Sequence, residues 1–100
     1  MYHIKKLAEQ MEDEIESAMT YAEKYIECKA KSNTAYAAKY KAMAEDELRH
    51  AMFFHEQAVK EIEEVQKVYT APAEMLDKWE HEHKEYIERV GIIKQILAMS

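Results

Sequence analysis

The fold of this chain is decided by residues 34–69, TAYAAKYKAMAEDELRHAMFFHEQAVKEIEEVQKVY. The stretch contains neither glycine nor proline, and its apolar side chains recur every three or four residues, as on one face of an α-helix. The stripe consists of Tyr36, Tyr40, Met43, Glu47, His50 and Phe54, and it continues through Ala58, Ile62, Val65 and Tyr69. This pattern predicts one unusually long helix.

A similar stripe lies on each side of this stretch. The first consists of Ile4, Leu7, Met11, Glu14, Ala18, Tyr21, Tyr25 and Cys28. The other consists of Leu76, Trp79, His83, Tyr86, Val90, Ile93 and Leu97. The polar cluster Lys31-Ser32-Asn33-Thr34 separates the first two stripes, and Thr70 with Pro72 is typical of an N-cap and a first helical turn.

The sequence therefore predicts an all-α fold with helices at about 2–30, 34–69 and 72–98. Because the linking segments are short, we expect a long antiparallel hairpin plus a third helix, in a single domain spanning 1–100. The composition agrees, since the 100 residues include one glycine and one proline.

Charge and cysteine content exclude several classes of protein. The chain has 20 acidic against 14 basic residues, a net charge of −6, which offers no electrostatic footprint for nucleic acid or an anionic membrane. The single Cys28 cannot form an intrachain disulfide or a CxxC pair. No signal peptide or long apolar run is present, so we expect a soluble, cytoplasmic protein.

Three residues of the metal-ligand type fall on these apolar stripes. Glu14 stands between Met11 and Ala18, while Glu47 and His50 lie one helical turn apart. Burying these groups without partners would cost several kcal/mol, and a metal ion would offset that cost. Alternatively, the Glu and His side chains bond to each other or to tyrosine hydroxyls, or the stripe is only partly buried.

The heights of these residues in the hairpin agree. With a turn near Ser32, Glu14 lies 18 residues before the turn and Glu47 lies 15 after it. At about 1.5 Å per residue the two heights differ by only about 5 Å. We therefore expect the side chains to converge.

The same region resembles the ferritin-like superfamily, particularly its rubrerythrin-type and short encapsulated-ferritin-type members. The likeness lies in Glu14-x6-Tyr21 and in Ala44-Glu45-Asp46-Glu47-Leu48-Arg49-His50-Ala51, and it spans about residues 7–58. It implies that Glu14, Glu47 and His50 are iron ligands, with Tyr21 beside them. It also implies oxidation of Fe(II) by oxygen or peroxide, the activity of a ferroxidase or another oxidoreductase. Mn or Zn could also occupy such a set of ligands.

A complete site in that family takes four helices, and the resemblance leaves two ways to complete it. We favour a homodimer or higher homo-oligomer, in which two hairpins form a four-helix bundle around two iron ions per dimer. The third helix would then be a cover or an extra interface, anchored by Trp79 and Val90. The other way uses Glu80-x-x-His83, but His50 and His83 would differ in height by about 10 Å. Glu80 and His83 are better interpreted as surface or interface residues than as a second, weaker metal site.

A protein without catalytic activity is the alternative to this metal protein. A helical oligomeric adaptor, or a phage-associated structural protein that keeps the ferritin-like fold, would need only the three amphipathic helices. Such a protein should tolerate glutamine at Glu14, Glu47 and His50, whereas a metal protein should lose its metal. Gly91, in the third helix, indicates either close helix approach or a tolerated cost of about 1 kcal/mol.

Overall fold

The computed structural model describes residues 2–68 and 73–99, and over these residues the chain forms three α-helices and no strand. They are α1 (Tyr2–Ala30), α2 (Thr34–Val68) and α3 (Ala73–Ala98). The predicted all-α class is confirmed, and the predicted helix bounds at residues 2, 30, 34 and 98 match the structure. The predicted last residue of the second helix, the predicted N-cap at Thr70 and Pro72 lie outside the described residues. Within the described part of the chain, no helix combines the length and the hydropathy needed to cross a bilayer.

A tight turn joins α1 to α2. Ser32 adopts a left-handed backbone conformation with φ of 58°, and its N–H donates to the carbonyl of Lys29 at 3.0 Å. The Asn33 N–H donates to the carbonyl of Cys28 at 2.8 Å, so the last carbonyls of α1 are satisfied. The Asn33 side-chain oxygen then accepts from the Tyr36 N–H at 3.3 Å and caps α2. The chain reverses at Ser32, as predicted, and this fixes the relative heights of residues on the two helices.

Alanines spaced seven residues apart form the α2 side of the hairpin core. Ala37, Ala44, Ala51 and Ala58 are all buried, and the last three have no exposed surface. They face a row of buried residues on α1, which consists of Ile4, Leu7, Ala8, Met11, Ile15, Ala18, Ala22 and Tyr25. A seven-residue repeat keeps one seam in contact along a pair of supercoiled helices, and small side chains let the two backbones approach closely.

The predicted core face of α2 is wrong in orientation over the first half of the helix. Tyr36 is 55% exposed, Met43 is 39% exposed, and His50 is also exposed. These residues lie beside the alanine seam and form a flank of the hairpin, because closely packed helices leave room only for small side chains such as alanine. Further along α2, Ala58 and Ile62 of the predicted stripe are buried, as predicted.

Helix α3 runs parallel to α1 and covers one flank of the hairpin. Near its start, Met75 and Trp79 lie against Ile4 and Ala8 of α1. At its other end, the Met99 carbonyl accepts hydrogen bonds from the Tyr25 hydroxyl at 2.8 Å and the Lys29 amine at 3.0 Å. Ile93 and Leu97 are buried between these ends, together with Trp79, while Val90 is half-buried. Trp79 is an anchor of this helix, as predicted.

The other flank of the hairpin is not covered by α3. On α1, Glu12 faces α3, and Glu14 lies about 200° further around the helix. On α2, Glu45 faces the end of α3, and Glu47 lies about 200° further around. We call this uncovered surface the open flank, and it carries Glu14, Tyr21, Tyr36, Tyr40, Met43, Glu47 and His50.

Replacing Gly91 with alanine is expected to stabilise the protein. Gly91 lies inside α3, is exposed, and has no atom within 4 Å of the position that a Cβ would take. Alanine should therefore add about 0.5–1 kcal/mol to the free energy of unfolding through its helix propensity. Urea denaturation would measure this gain, and Ala42→Gly, at an exposed position of α2, should cause a loss of similar size. A destabilised Gly91→Ala variant would mean that Gly91 meets a partner helix in solution.

Candidate metal centre

Glu14, Glu47 and His50 meet on the open flank. One ligand atom from each residue lies within 4.8 Å of the other two. The Nδ1 atom of His50 lies 3.5 Å from a carboxylate oxygen of Glu14 and 3.9 Å from one of Glu47. The three residues singled out by the sequence are therefore brought together by the fold.

Two local features of the chain produce this convergence. Glu47 and His50 lie three residues apart on α2, so one helical turn places their side chains one above the other. Glu14 comes from α1, and the tight turn at Ser32 brings it to the same height as Glu47. The close alanine seam holds α1 and α2 near enough for all three side chains to touch.

The burial of these side chains differs from the sequence expectation. The side chains of Glu14 and Glu47 are 25% and 23% exposed, and that of His50 is 59% exposed. No polar or charged side chain is buried among the residues that the structure describes. The expectation that all three lie in the core is therefore wrong, and the free-energy cost of leaving them without a metal is smaller than the sequence suggested.

The two carboxylates interact unfavourably when both are charged. The pKa of Glu47 is raised above its ordinary value of 4.5, first by a side-chain hydrogen bond with Glu14, then by burial and by the negative charge of Glu14. His50 opposes the shift. A hydrogen bond between two carboxyl groups requires a proton on one of them. A bound cation would take the place of that proton.

The donor set fits a divalent metal ion of the first transition series. Two carboxylates and one imidazole are ligands that suit Fe(II), Mn(II) and Zn(II). The open side of His50 leaves room for further ligands from water or from a second protein. The three residues would hold the ion, and Fe(II) would supply one-electron chemistry at this position.

A pair of tyrosines lies above the ligand cluster on the same flank. The rings of Tyr21 and Tyr40 stack with centroids 6.3 Å apart, and the Lys24 amine lies 5.9 Å from the centre of the Tyr40 ring. Both tyrosines are half-buried. Tyr21 and Tyr40 therefore border the candidate centre towards the turn at Ser32.

Glu80 and His83 are not part of this centre. His83 stacks on His55, with ring centroids 4.8 Å apart, on the side of the hairpin that α3 covers. Glu80 is exposed. Within the described ranges, neither residue belongs to a group of three or more ligand-type side chains. The structure therefore places Glu80 and His83 apart from Glu14, Glu47 and His50.

Sequence reasoning missed a second carboxylate group, formed by Glu12, Glu82 and Glu85. Their oxygens also lie within 4.8 Å of one another. The pKa of Glu82 is raised, first by burial, then by the charge of Glu12 and a hydrogen bond with it, and then by the charge of Glu85. Arg89 borders the same small space and supplies a positive charge. The spacing of Glu82 and Glu85 places them on one helix face, but only the packing of α3 on α1 shows that Glu12 joins them.

Comparisons with known proteins give no match, whether with family models, curated proteins or solved structures. The likeness to the ferritin-like superfamily therefore rests on the residues quoted above. The geometry of Glu14, Glu47 and His50 is the basis for a functional proposal.

Proposed function

We propose that this chain is a ferritin-like metal-binding protein that forms a homodimer and holds two metal ions, iron first among them, between two α1–α2 hairpins. The observation that carries the proposal is the convergence of Glu14, Glu47 and His50 on the open flank. Two copies of the hairpin would supply four glutamates and two histidines, the ligand set of a dinuclear carboxylate centre.

The exposure of His50 supports a dimer at this flank. The His50 side chain is 59% exposed while it contacts both glutamates, so it points outward from the hairpin edge. A second hairpin lying on the open flank would cover it and add its own ligands. A two-fold axis through the flank would place identical surfaces against each other, which is the commonest symmetry of protein dimers.

The surface area of the chain also supports a partner. It exposes 6617 Å², whereas a compact monomer of 11.8 kDa exposes about 5,900 Å². The excess of about 700 Å² follows from an elongated shape of 55 × 17 × 17 Å. It is close to the area of about 800 Å² that one partner buries in a standard interface. Tyr36 and Met43 supply exposed apolar surface for such contacts on the open flank.

The residues of the flank have distinct roles in this proposal. The carboxyl group of Glu14 raises the pKa of Glu47 in the metal-free form, and a bound cation would relieve the repulsion between the two carboxylates. His50 is the neutral ligand and selects metals that accept imidazole. Each bound Fe(II) would supply one electron, and the two irons of the dimer would together supply the two electrons that reduce oxygen to peroxide or peroxide to water, so the proposed activity is iron oxidation. Tyr21 and Tyr40 limit access of water from the side of the turn.

A second candidate function is that of a helical oligomeric adaptor without metal. It is favoured by the absence of buried charge in the described parts of the chain, because the hairpin does not need a metal to satisfy a buried ligand. In that case the open flank would bind protein through Tyr36 and Met43, and the glutamates would remain solvated. Metal retention distinguishes the two functions.

Replacement of His50 with alanine is expected to abolish metal retention. After anaerobic loading with Fe(II) and desalting, mass spectrometry should find about one iron per chain in the wild type and almost none in His50→Ala. His81→Ala is the matched control, because His81 is exposed, pairs with Glu85, and lies on α3. The control should retain iron as the wild type does.

Two outcomes would contradict the proposal. The first is a wild-type chain that retains no iron, manganese or zinc, and the second is equal retention in His50→Ala. Sedimentation at micromolar concentration tests the dimer separately. If the metal-bound protein were a monomer, the proposed dimer would be excluded, while the assignment of the three ligands would stand.

A further inference from the structure

Four aromatic rings fill the space between α2 and the first half of α3. His55 of α2 stacks on three residues of α3, with ring centroids 5.8 Å from Trp79, 4.8 Å from His83 and 4.9 Å from Tyr86. Trp79 and His83 also stack on each other at 5.4 Å, with planes only 6° apart. We call these four residues the ring cluster. It contains two groups that titrate near neutral pH.

The imidazole of His55 is held in an environment that disfavours its charged form. Its Nε2 atom is buried and has no hydrogen-bond partner in the structure. Burial lowers the pKa of His55, and the nearby His83 lowers it further. Glu56 acts in the opposite direction but is exposed and does not reverse the shift. The neutral imidazole therefore suits this position, and the charged one does not.

The charged groups around the cluster come from all three helices. Glu56 comes from α2, and His83 from α3. On the side of α1, Glu12 lies with Glu82, Glu85 and Arg89 beside Tyr86, on the border of a separate space that does not include His55. Burial and the charge of Glu56 both raise the pKa of Tyr86, so this phenol stays neutral through the range in which histidine titrates. Among the side-chain types of the cluster, imidazole is the one whose ordinary pKa lies near neutral pH.

The two halves of α3 are attached differently. The second half is fixed by the buried Ile93 and Leu97 and by the hydrogen bonds of Tyr25 and Lys29 to Met99. The first half lies against α1 through Met75 and Trp79, and it approaches α2 mainly through the large rings of the cluster. Loss of the ring contacts would therefore loosen the first half from α2 and weaken its packing around Trp79, while the second half stayed docked on α1.

We propose that His55 and His83 form a pH-sensitive latch that holds the first half of α3, residues 73–90, against α2 while both imidazoles are neutral and releases it when they are protonated. Two stacked imidazolium rings would repel each other, and the buried His55 nitrogen would carry a proton with no acceptor. The direction in which stability changes with pH follows from the lowered pKa of His55. Stability from a group with a depressed pKa is fully present above its ordinary pKa, 6.5 for histidine, and is lost as the pH falls through the depressed value. Release thus occurs on acidification.

Trp79 makes this latch measurable, because it is the only tryptophan in the chain and is just 9% exposed. Between pH 7 and 5 the wild-type emission maximum should shift to longer wavelength as the indole meets water. Amide hydrogen exchange in residues 73–90 should become faster, by about tenfold for each unit by which folding lowers the pKa of His55. Exchange in α1 and in residues 93–98 should stay unchanged. Exchange should be compared between variants at the same pH, since the intrinsic rate also depends on pH.

The decisive variant is His55→Phe, which keeps an aromatic ring in the stack and removes its titration. Its Trp79 emission and α3 exchange should no longer change between pH 7 and 5, whereas His81→Gln, which removes an exposed histidine of α3, should behave as the wild type. His83→Phe should also flatten the titration and gives a second test if His55→Phe does not fold. Three results would overturn the latch: no spectral shift in the wild type, an unchanged titration in both phenylalanine variants, or quenching of Trp79 without a red shift and without faster exchange.

Discussion

Replacing Glu47 with glutamine is expected to abolish iron retention and to make the metal-free protein more stable at neutral pH. Glutamine keeps the size of the side chain and can still hydrogen-bond Glu14, but it cannot serve as an anionic ligand. Iron per chain should fall from about one to almost none under the loading conditions used for the wild type. A substitution that lost iron by damaging the fold would also lower stability. Loss of iron together with a gain in stability therefore identifies Glu47 as a metal ligand.

The gain in stability has a definite dependence on pH. Because the pKa of Glu47 is raised in the fold, its favourable contribution is present below the ordinary value of 4.5 and is lost as the pH rises through the raised value. At pH 7 the charged Glu47 therefore destabilises the metal-free hairpin, and glutamine removes this effect. We expect a gain in unfolding free energy at pH 7 that disappears towards pH 4.

The matched control is Glu45→Gln, two residues away on α2, where the side chain is exposed and faces the end of α3. It changes the net charge equally but should alter neither iron retention nor the stability profile. If Glu47→Gln retained iron as the wild type does, the candidate centre would not be a metal site. If it lost iron without a gain in stability, the unfavourable interaction inferred between Glu14 and Glu47 would be wrong, while the assignment of Glu47 as a ligand would stand.

Replacing Ala51 with leucine is expected to cause a large loss of stability. Ala51 has no exposed surface and lies in the alanine seam, where α1 and α2 approach most closely. A leucine there must push the helices apart or adopt a strained rotamer, at a cost of about 1–3 kcal/mol. For a domain of this size the melting temperature should fall by about 4–8 °C for each kcal/mol.

Thermal and urea unfolding of Ala51→Leu would measure this loss. Ala42→Leu is the control, because it adds the same side chain to an exposed position of α2 and should change stability by less than about 0.5 kcal/mol. The seam also positions the ligands, so Ala51→Leu should weaken iron binding even in the folded protein. A stable Ala51→Leu variant with normal iron binding would show that α1 and α2 are not packed closely at this height.

The positions of the helices could be predicted from the sequence because they depend on local rules. The chain has one glycine and one proline, so a helix can end in few places, and the cluster from Lys31 to Thr34 is the first of them. The turn at Ser32 then fixes the heights of Glu14 and Glu47 by arithmetic alone. The meeting of Glu14, Glu47 and His50 follows from these two facts.

The side of α2 that is buried could not be predicted in the same way. The sequence shows two candidate faces, one with Tyr36, Met43 and His50 and one with alanines every seven residues. Hydrophobicity favours the first, but the close contact with α1 admits only the second. The signal was present in the repeat of Ala37, Ala44, Ala51 and Ala58, whose spacing is that of a helix pair.

The sequence by itself determined the helices, the turn and the height at which Glu14, Glu47 and His50 meet, because these depend on residues near one another in the chain. Tertiary structure alone decided that these ligands lie on an open flank and not in the core, and that Glu12 joins Glu82 and Glu85. It also decided that His55 meets His83 in the ring cluster. These outcomes depend on how far each helix is rotated about its axis, and that rotation is set by the packing volume between helices, which no single stretch of sequence contains.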